Sequence, residues 1–170
     1  MTPGRPRALL LLALSSSVCL AGALLRPPSP ITVCSSSGRY CLLSDPKAGT
    51  RAYRIRPNGT RDPLWSIPGW HRFAFLADDG RHAVTGYDGP LLPLNFSPDV
   101  PVFRFWRDGS PVRIVSLSSL VRDLGKLKRM ASHYTWGNFV GFNAAGRFVV
   151  ATVERPSVAF DVETGREAGP

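Results

Sequence analysis

The residues of this 170-residue chain with the types to do chemistry are a few histidines, an aspartate and a set of tryptophan and tyrosine rings. His71, Asp88 and His133 are scattered in sequence; folded together, they could act as acid and base in a small hydrolytic enzyme. Against that stands the ordinary use of loop His and Asp to fix turns by bonding nearby backbone. No G-x-S-x-G elbow supplies a nucleophile, and neither Ser66 nor Ser132 lies in such a signature. The weightier set pairs aromatic rings with polar groups: Trp70-His71-Arg72, Tyr87-Asp88 and His133-Tyr134-Thr135-Trp136. A ring with an apolar face and a hydrogen-bonding tip suits sugars, peptides or partner proteins. Arg72 adds a charged contact for an anionic group. Trp70, Arg72, Tyr87, Tyr134 and Trp136 are therefore the candidate ligand-binding residues. The competing expectation is that these rings are core, plugging the sheet ends.

Other chemistries find no support. His71, His82 and His133 show no metal-ligand spacing, and neither G-x-G-x-x-G nor a P-loop occurs, so no metal, nucleotide or other cofactor is expected. The net charge is +9, with eighteen arginines against three lysines. They are scattered without a polybasic block, which argues against a specific nucleic-acid site. Non-specific attraction to anionic glycans, lipid headgroups or cell-wall polymers remains. The reading is a non-catalytic binding or structural module whose partner is an envelope glycan, peptide or protein; the alternative is the hydrolase.

The elements that must position these residues announce themselves by a recurring turn: Ser36-Ser37-Gly38-Arg39, Asp78-Asp79-Gly80-Arg81, Asp108-Gly109 and Ala144-Ala145-Gly146-Arg147. Each is flanked by runs rich in Phe, Val, Ile and Tyr, and Gly supplies the positive φ that a tight hairpin needs. Treating each as a two-residue loop pairs Cys34 with Cys41, Leu76 with Ala83, Phe105 with Val112 and Phe142 with Val149. All four pairs are apolar or sulfur-linked, as one buried sheet face requires. The same register sets Arg104 opposite Arg113, where like charges repel. Strands are expected in three sets: 31–34, 39–44, 51–56 and 63–67; 72–77, 81–87, 101–107 and 111–117; and 138–143, 147–153 and 157–162. A Pro/Gly-rich loop covers 88–100. Leu117, Leu120, Val121, Leu124 and Leu127 recur at helical spacing, which predicts one helical insert over 117–130.

The N-terminus reads as an export signal over 1–23. Arg5 and Arg7 precede the apolar run Ala8–Leu14, and Ala21-Gly22-Ala23 is an A-x-A cleavage pattern. The apolar run is short for a membrane span. Cys19 falls inside the signal, and Val18 is too large for a lipoprotein signal. Cleavage leaves Cys34 and Cys41, cross-strand neighbours in the first hairpin and thus a disulfide in an oxidising compartment. A periplasmic or secreted location follows. After a Pro-rich lead-in at 24–30 comes a single β domain over 31–166 and a tail at 167–170.

Arg147 to Gly165, with its G-R-aromatic-V-V hairpin, return strand Val158-Ala159-Phe160 and Asp161-Val162-Glu163-Thr164-Gly165 turn, resembles the outer half of a β-propeller blade. Arg39 to Asp45 followed by Tyr53-Arg54-Ile55 echoes it. The strings Ile67-Pro68-Gly69-Trp70-His71-Arg72 and Ser132-His133-Tyr134-x-Trp136-Gly137 resemble those of a group of uncharacterised exported bacterial proteins. That resemblance spans 31–166 and implies a fold without an activity. The fold expected is all-β: antiparallel hairpins in a propeller-like, incomplete arrangement of about three blades with one short helical insert. A β-sandwich or barrel is the alternative.

Overall fold

A computed structural model describes residues 27–86 and 89–169. The signal reading and Cys19 fall outside the described residues, as do Tyr87 and Asp88. The chain is all-β, in four antiparallel sheets. β1 (Ile31–Cys34), β2 (Tyr40–Asp45), β3 (Gly49–Ile55) and β4 (Arg61–Ile67) form a meander, the first sheet. β5 (Phe73–Leu76) and β6 (His82–Gly86) begin the middle sheet. After β7 (Leu91–Pro93), that sheet is completed by β8 (Pro101–Arg107) and β9 (Ser110–Ser116). β10 (Lys128–Arg129) and β11 (His133–Thr135) pair with β7 in a small sheet. β12 (Gly137–Phe142), β13 (Phe148–Thr152) and β14 (Val158–Phe160) make the last. The three expected sets are therefore present, and the small sheet is an addition: the 88–100 loop and the 117–135 segment each give it strands. Pro63, Pro93 and Pro111 all sit in edge strands, where proline is tolerated, and Pro101 opens β8.

The middle sheet is packed on both faces. Ala74, Leu76, Ala83 and Trp106 meet Leu42, Ala52 and Ile67 of the first sheet. Strand alternation sends Val84, Phe103 and Phe105 the other way, onto Phe148, Val150 and Phe160 of the last sheet, with Trp136 and the 117–127 residues closing the rim. Trp65 Nε1 donates to the Gly80 carbonyl at 2.9 Å, and the backbone N–H of Ser37 to Asp78 at 2.8 Å, tying the first sheet to the middle one. Gly80 has φ +70°, and a Cβ there would lie 2.4 Å from the Tyr40 ring, so only glycine allows this approach.

Cys34 faces Cys41 and the two are disulfide-bonded, with Cα atoms 4.0 Å apart. Leu76 faces Ala83. The other two pairings shift. Asp108-Gly109 is a two-residue turn with φ +49° and +81°, but Pro111 brings no N–H to the ladder and a bulge follows. Phe105 consequently faces Arg113 and Arg104 faces Ile114, so the two arginines are not opposed. In the last hairpin the Asn143 side chain accepts from the N–H of Ala145 and Arg147, both at 3.0 Å, which lengthens the loop and sets Phe142 against Phe148.

The expected 117–130 helix is one α turn, α1 (Leu117–Leu120), followed by a 3-10 turn at Leu124–Lys126. Leu117, Leu120, Val121 and Leu127 are buried as their spacing predicts. The backbone donors beyond α1 go elsewhere: Glu154 accepts from Arg122 and Asp123 N–H at 2.8 and 3.1 Å, and Asp123 accepts from Gly125 N–H. Pairing also runs past residue 166, where Ala168 N–H donates to the Ala159 carbonyl.

Candidate functional site

Residues 68–72 connect the first sheet to the middle one, and a buried chain of hydroxyls fixes their course. His71 N–H donates to Ser44 Oγ at 2.6 Å, Ser44 Oγ lies 2.9 Å from Thr50 Oγ1, and Thr50 donates to the Gly69 carbonyl at 2.9 Å. Thr50 is the donor shared between Ser44 Oγ and the Gly69 carbonyl, and Ser44 Oγ accepts from both Thr50 and the His71 N–H. Both hydroxyl residues are buried, so this alignment resists exchange with water.

The loop so held places His71 over a cleft of about 150 Å³ lined by Thr85 and Gly86 of β6 and by Pro101, Phe103, Arg104 and Trp106 of β8. Positions 104 and 106 share one strand face, and the Arg104 guanidinium lies 5.2 Å from the centre of the Trp106 ring. Trp106 is buried, and its indole N–H donates to Thr85 Oγ1 at 2.8 Å, which fixes the ring plane. The His71 ring is 6.4 Å from Trp106, and its Nε2 lies 3.1 Å from the Pro68 carbonyl, so the neutral ring carries its proton on Nε2. Burial holds the His71 imidazole below the usual histidine range; the Pro68 bond opposes this, and the Arg104 charge adds to it. Among the described residues no carboxylate pairs with Arg104 or orients His71. The described lining of the cleft is thus cationic and apolar, and among the described residues it holds no acid of the kind a hydrolytic dyad needs.

Two other concave regions hold ion pairs of their own. One, of about 560 Å³, is lined by Arg39, Tyr40, Arg54 and Arg56, but Asp62 takes Arg54 at 3.1 Å and Arg56 at 2.6 Å. Its neighbour, of about 300 Å³, holds Trp65 and Arg81, and Arg81 donates to both oxygens of Asp108. His82 is spent on structure. It is 2% exposed, donates from Nδ1 to Asp79 at 2.6 Å and faces Glu163, which also takes Arg107 at 3.1 Å. Burial works against the Asp79 charge, yet the bonds from the His82 ring and from backbone N–H groups hold that carboxyl below its usual range.

The described residues singled out in the sequence do not all converge. Trp70 is half-buried and donates to the Ser29 carbonyl of the lead-in at 2.8 Å, with Arg72 stacked 5.0 Å over its ring. Both stand beside His71. His133 and Tyr134 belong to the small sheet, where Tyr134 meets Phe96 edge-on and His133 Nδ1 meets the Ser132 hydroxyl at 3.1 Å. Trp136 is 0% exposed, packs against Phe103 and Phe139 and donates to the Gly89 carbonyl at 3.0 Å. It is core and offers no contact surface, so it lines no concavity with Trp70. The His71 ring bonds to Pro68 in the connection before β5 and the His133 ring to Ser132 beside β11, so the two make no dyad. Thr85, Arg104 and Trp106 were missed as site residues. Their signal was present, since Arg104 is the one charge inside Val102-Phe103-Arg104-Phe105-Trp106. A cation in so apolar a strand needs a reason.

No protein-family model matches the chain, and no curated protein matches it. Its function therefore has to be argued from this cleft.

Proposed function

We propose that the chain is a non-catalytic binding module working outside the cytoplasm, with the His71–Arg104–Trp106 cleft as its contact site. The observation that carries this reading is Arg104, a half-buried guanidinium held against a fixed indole, with no carboxylate paired to it among the described residues. Such a cation is costly to keep unless something occupies the cleft beside it. The Cys34–Cys41 disulfide supports an oxidising compartment, and among the described residues no helix is long and apolar enough to cross a membrane. The A-x-A signal reading and the resemblance to exported bacterial proteins support the same location.

The test is a panel of envelope glycans, peptidoglycan fragments and peptides, read by tryptophan fluorescence and calorimetry on the protein and on Arg104→Gln. The expected outcome is at least one ligand that binds the protein and is lost in the variant while the melting temperature holds. Turnover of any panel member, or a binder indifferent to Arg104, would overturn the reading.

A further inference from the structure

Resting on the binding-module reading above, we propose that the cleft takes the free C-terminal carboxylate of a peptide ending in a small aliphatic residue. The guanidinium of Arg104 is a planar fork that matches a carboxylate with two parallel N–H bonds. Among the described residues it is the only arginine lining the cleft. One guanidinium balances one negative charge, whereas a phosphate dianion calls for more donors than Arg104, His71 and Thr85 provide. The Thr85 hydroxyl accepts from Trp106 and keeps its own proton for a second acceptor. The remaining walls, Pro101, Phe103 and Gly86, are apolar or bare backbone and suit a methyl-sized side chain next to the bound carboxylate.

A sugar acid would carry the same charge, but the geometry favours the peptide. Sugar rings are recognised by laying their C–H face on an open aromatic face, and the Trp106 face is already covered by Arg104. The cleft, of about 150 Å³, has room for a terminal residue. Capture of a chain terminus is also a known way to read a peptide without reading its sequence.

His71 gives the site a second signature. Its neutral ring spends the Nε2 proton on Pro68, so a carboxylate arriving beside it favours protonation at Nδ1. Binding then takes up a proton, and affinity rises as pH falls from 7 towards the histidine's own range. The same proton uptake makes the effect visible as a buffer-dependent heat.

Calorimetry with the full chain compares acetyl-Ala-Ala-Ala as free acid with its C-terminal amide, with glucuronate and with inorganic phosphate. The free acid is expected to bind about ten- to a hundredfold tighter than the amide, the worth of charged hydrogen bonds. Glucuronate and phosphate should fall with the amide. Arg104→Lys, which keeps the charge and loses the fork, should weaken the free acid by about tenfold. His71→Asn should abolish the dependence of the heat on buffer. Equal binding of acid and amide overturns the proposal, as does glucuronate or phosphate binding tighter than the peptide acid. No binding by any of the four overturns it too. If a panel ligand binds through Arg104 while the peptide acid does not compete with it, this inference falls and the module reading stands. If Arg104 variants change no binding at all, both fall. Because acid and amide are compared on the unaltered protein, a variant that misfolds does not rescue the idea.

Discussion

Val84, Phe103 and Phe105 on one face of the middle sheet meet Phe148, Val150 and Phe160, while Ala74, Ala83 and Trp106 on the other meet Leu42, Ala52 and Ile67. The first contact is made of rings. Phe103 lies edge-on to Phe105 at 5.7 Å and to Phe160 at 5.3 Å, and Phe148 edge-on to Phe75 at 5.1 Å. Edge-to-face rings interlock and leave no room for polar groups. The second contact uses small side chains and hydroxyls, among them Ser44, Thr50 and Thr85, all buried. Small residues let the sheets approach, and the hydroxyls satisfy the backbone and the indole that come with them. An arginine and a histidine can be held at the edge of such an interface, which the ring-filled face would not tolerate. The lesson is a division of labour: one face supplies stability, and the other positions the cleft.

The sharpest way to break the comparison is to open the ring-filled face. Trp136→Ala should cost about 3–5 kcal/mol, since a fully buried indole is replaced by a cavity and the Gly89 carbonyl loses its donor. Equilibrium urea unfolding measures it. A cost below about 1 kcal/mol would mean this face does not carry the stability assigned to it.

Thr85 tests the other face more gently. Thr85→Val keeps the volume but leaves the Trp106 indole N–H buried without an acceptor, at a cost of about 1–3 kcal/mol. The double variant Thr85→Val, Trp106→Phe removes both partners and should lose less than the sum of the two single changes. Additive losses would show that the 2.8 Å bond does not hold the ring.

What the sequence revealed divides along the same line. Hairpin turns and apolar alternation are local, and they sufficed for the three larger sheets and for the Cys34–Cys41 pairing. Errors of one residue arose where a side chain or a proline intervened, at Asn143 and Pro111. The 117–130 helix failed because Glu154, some thirty residues on, takes the backbone donors the helix would have used. Chain-distant partners of that kind leave no periodic trace. The cleft was hidden for the same reason. Its loop was legible at Trp70-His71-Arg72, but its floor comes from β6 and β8, and only the fold brings Arg104 to His71. Trp136 shows the converse: a ring beside polar neighbours in sequence can be the largest fully buried side chain among the described residues.

The smallest expected effect concerns the protons of the cleft. Burial and the nearby Arg104 hold His71 below the usual histidine range in the folded protein, while the unfolded chain titrates near about 6.5. Between those two values the unfolded state binds more protons than the folded one, so stability falls as pH drops below about 6.5 and levels off once the folded value is passed. Above 6.5 the residue contributes no slope. Asp79 acts in a different window. Its folded carboxyl sits below the ordinary range, so its contribution is present at and above about 3.9 and is lost only under more acid conditions. Urea unfolding of the protein and of His71→Gln from pH 7.5 to 5 isolates the first effect, because every other group cancels in the difference. The variant should have the flatter curve, with the two curves diverging only below about 6.5. Identical slopes would mean that His71 is as well solvated folded as unfolded. Burial and the Arg104 charge would then not keep the imidazole neutral, which is the property that separates this face from the ring-filled one.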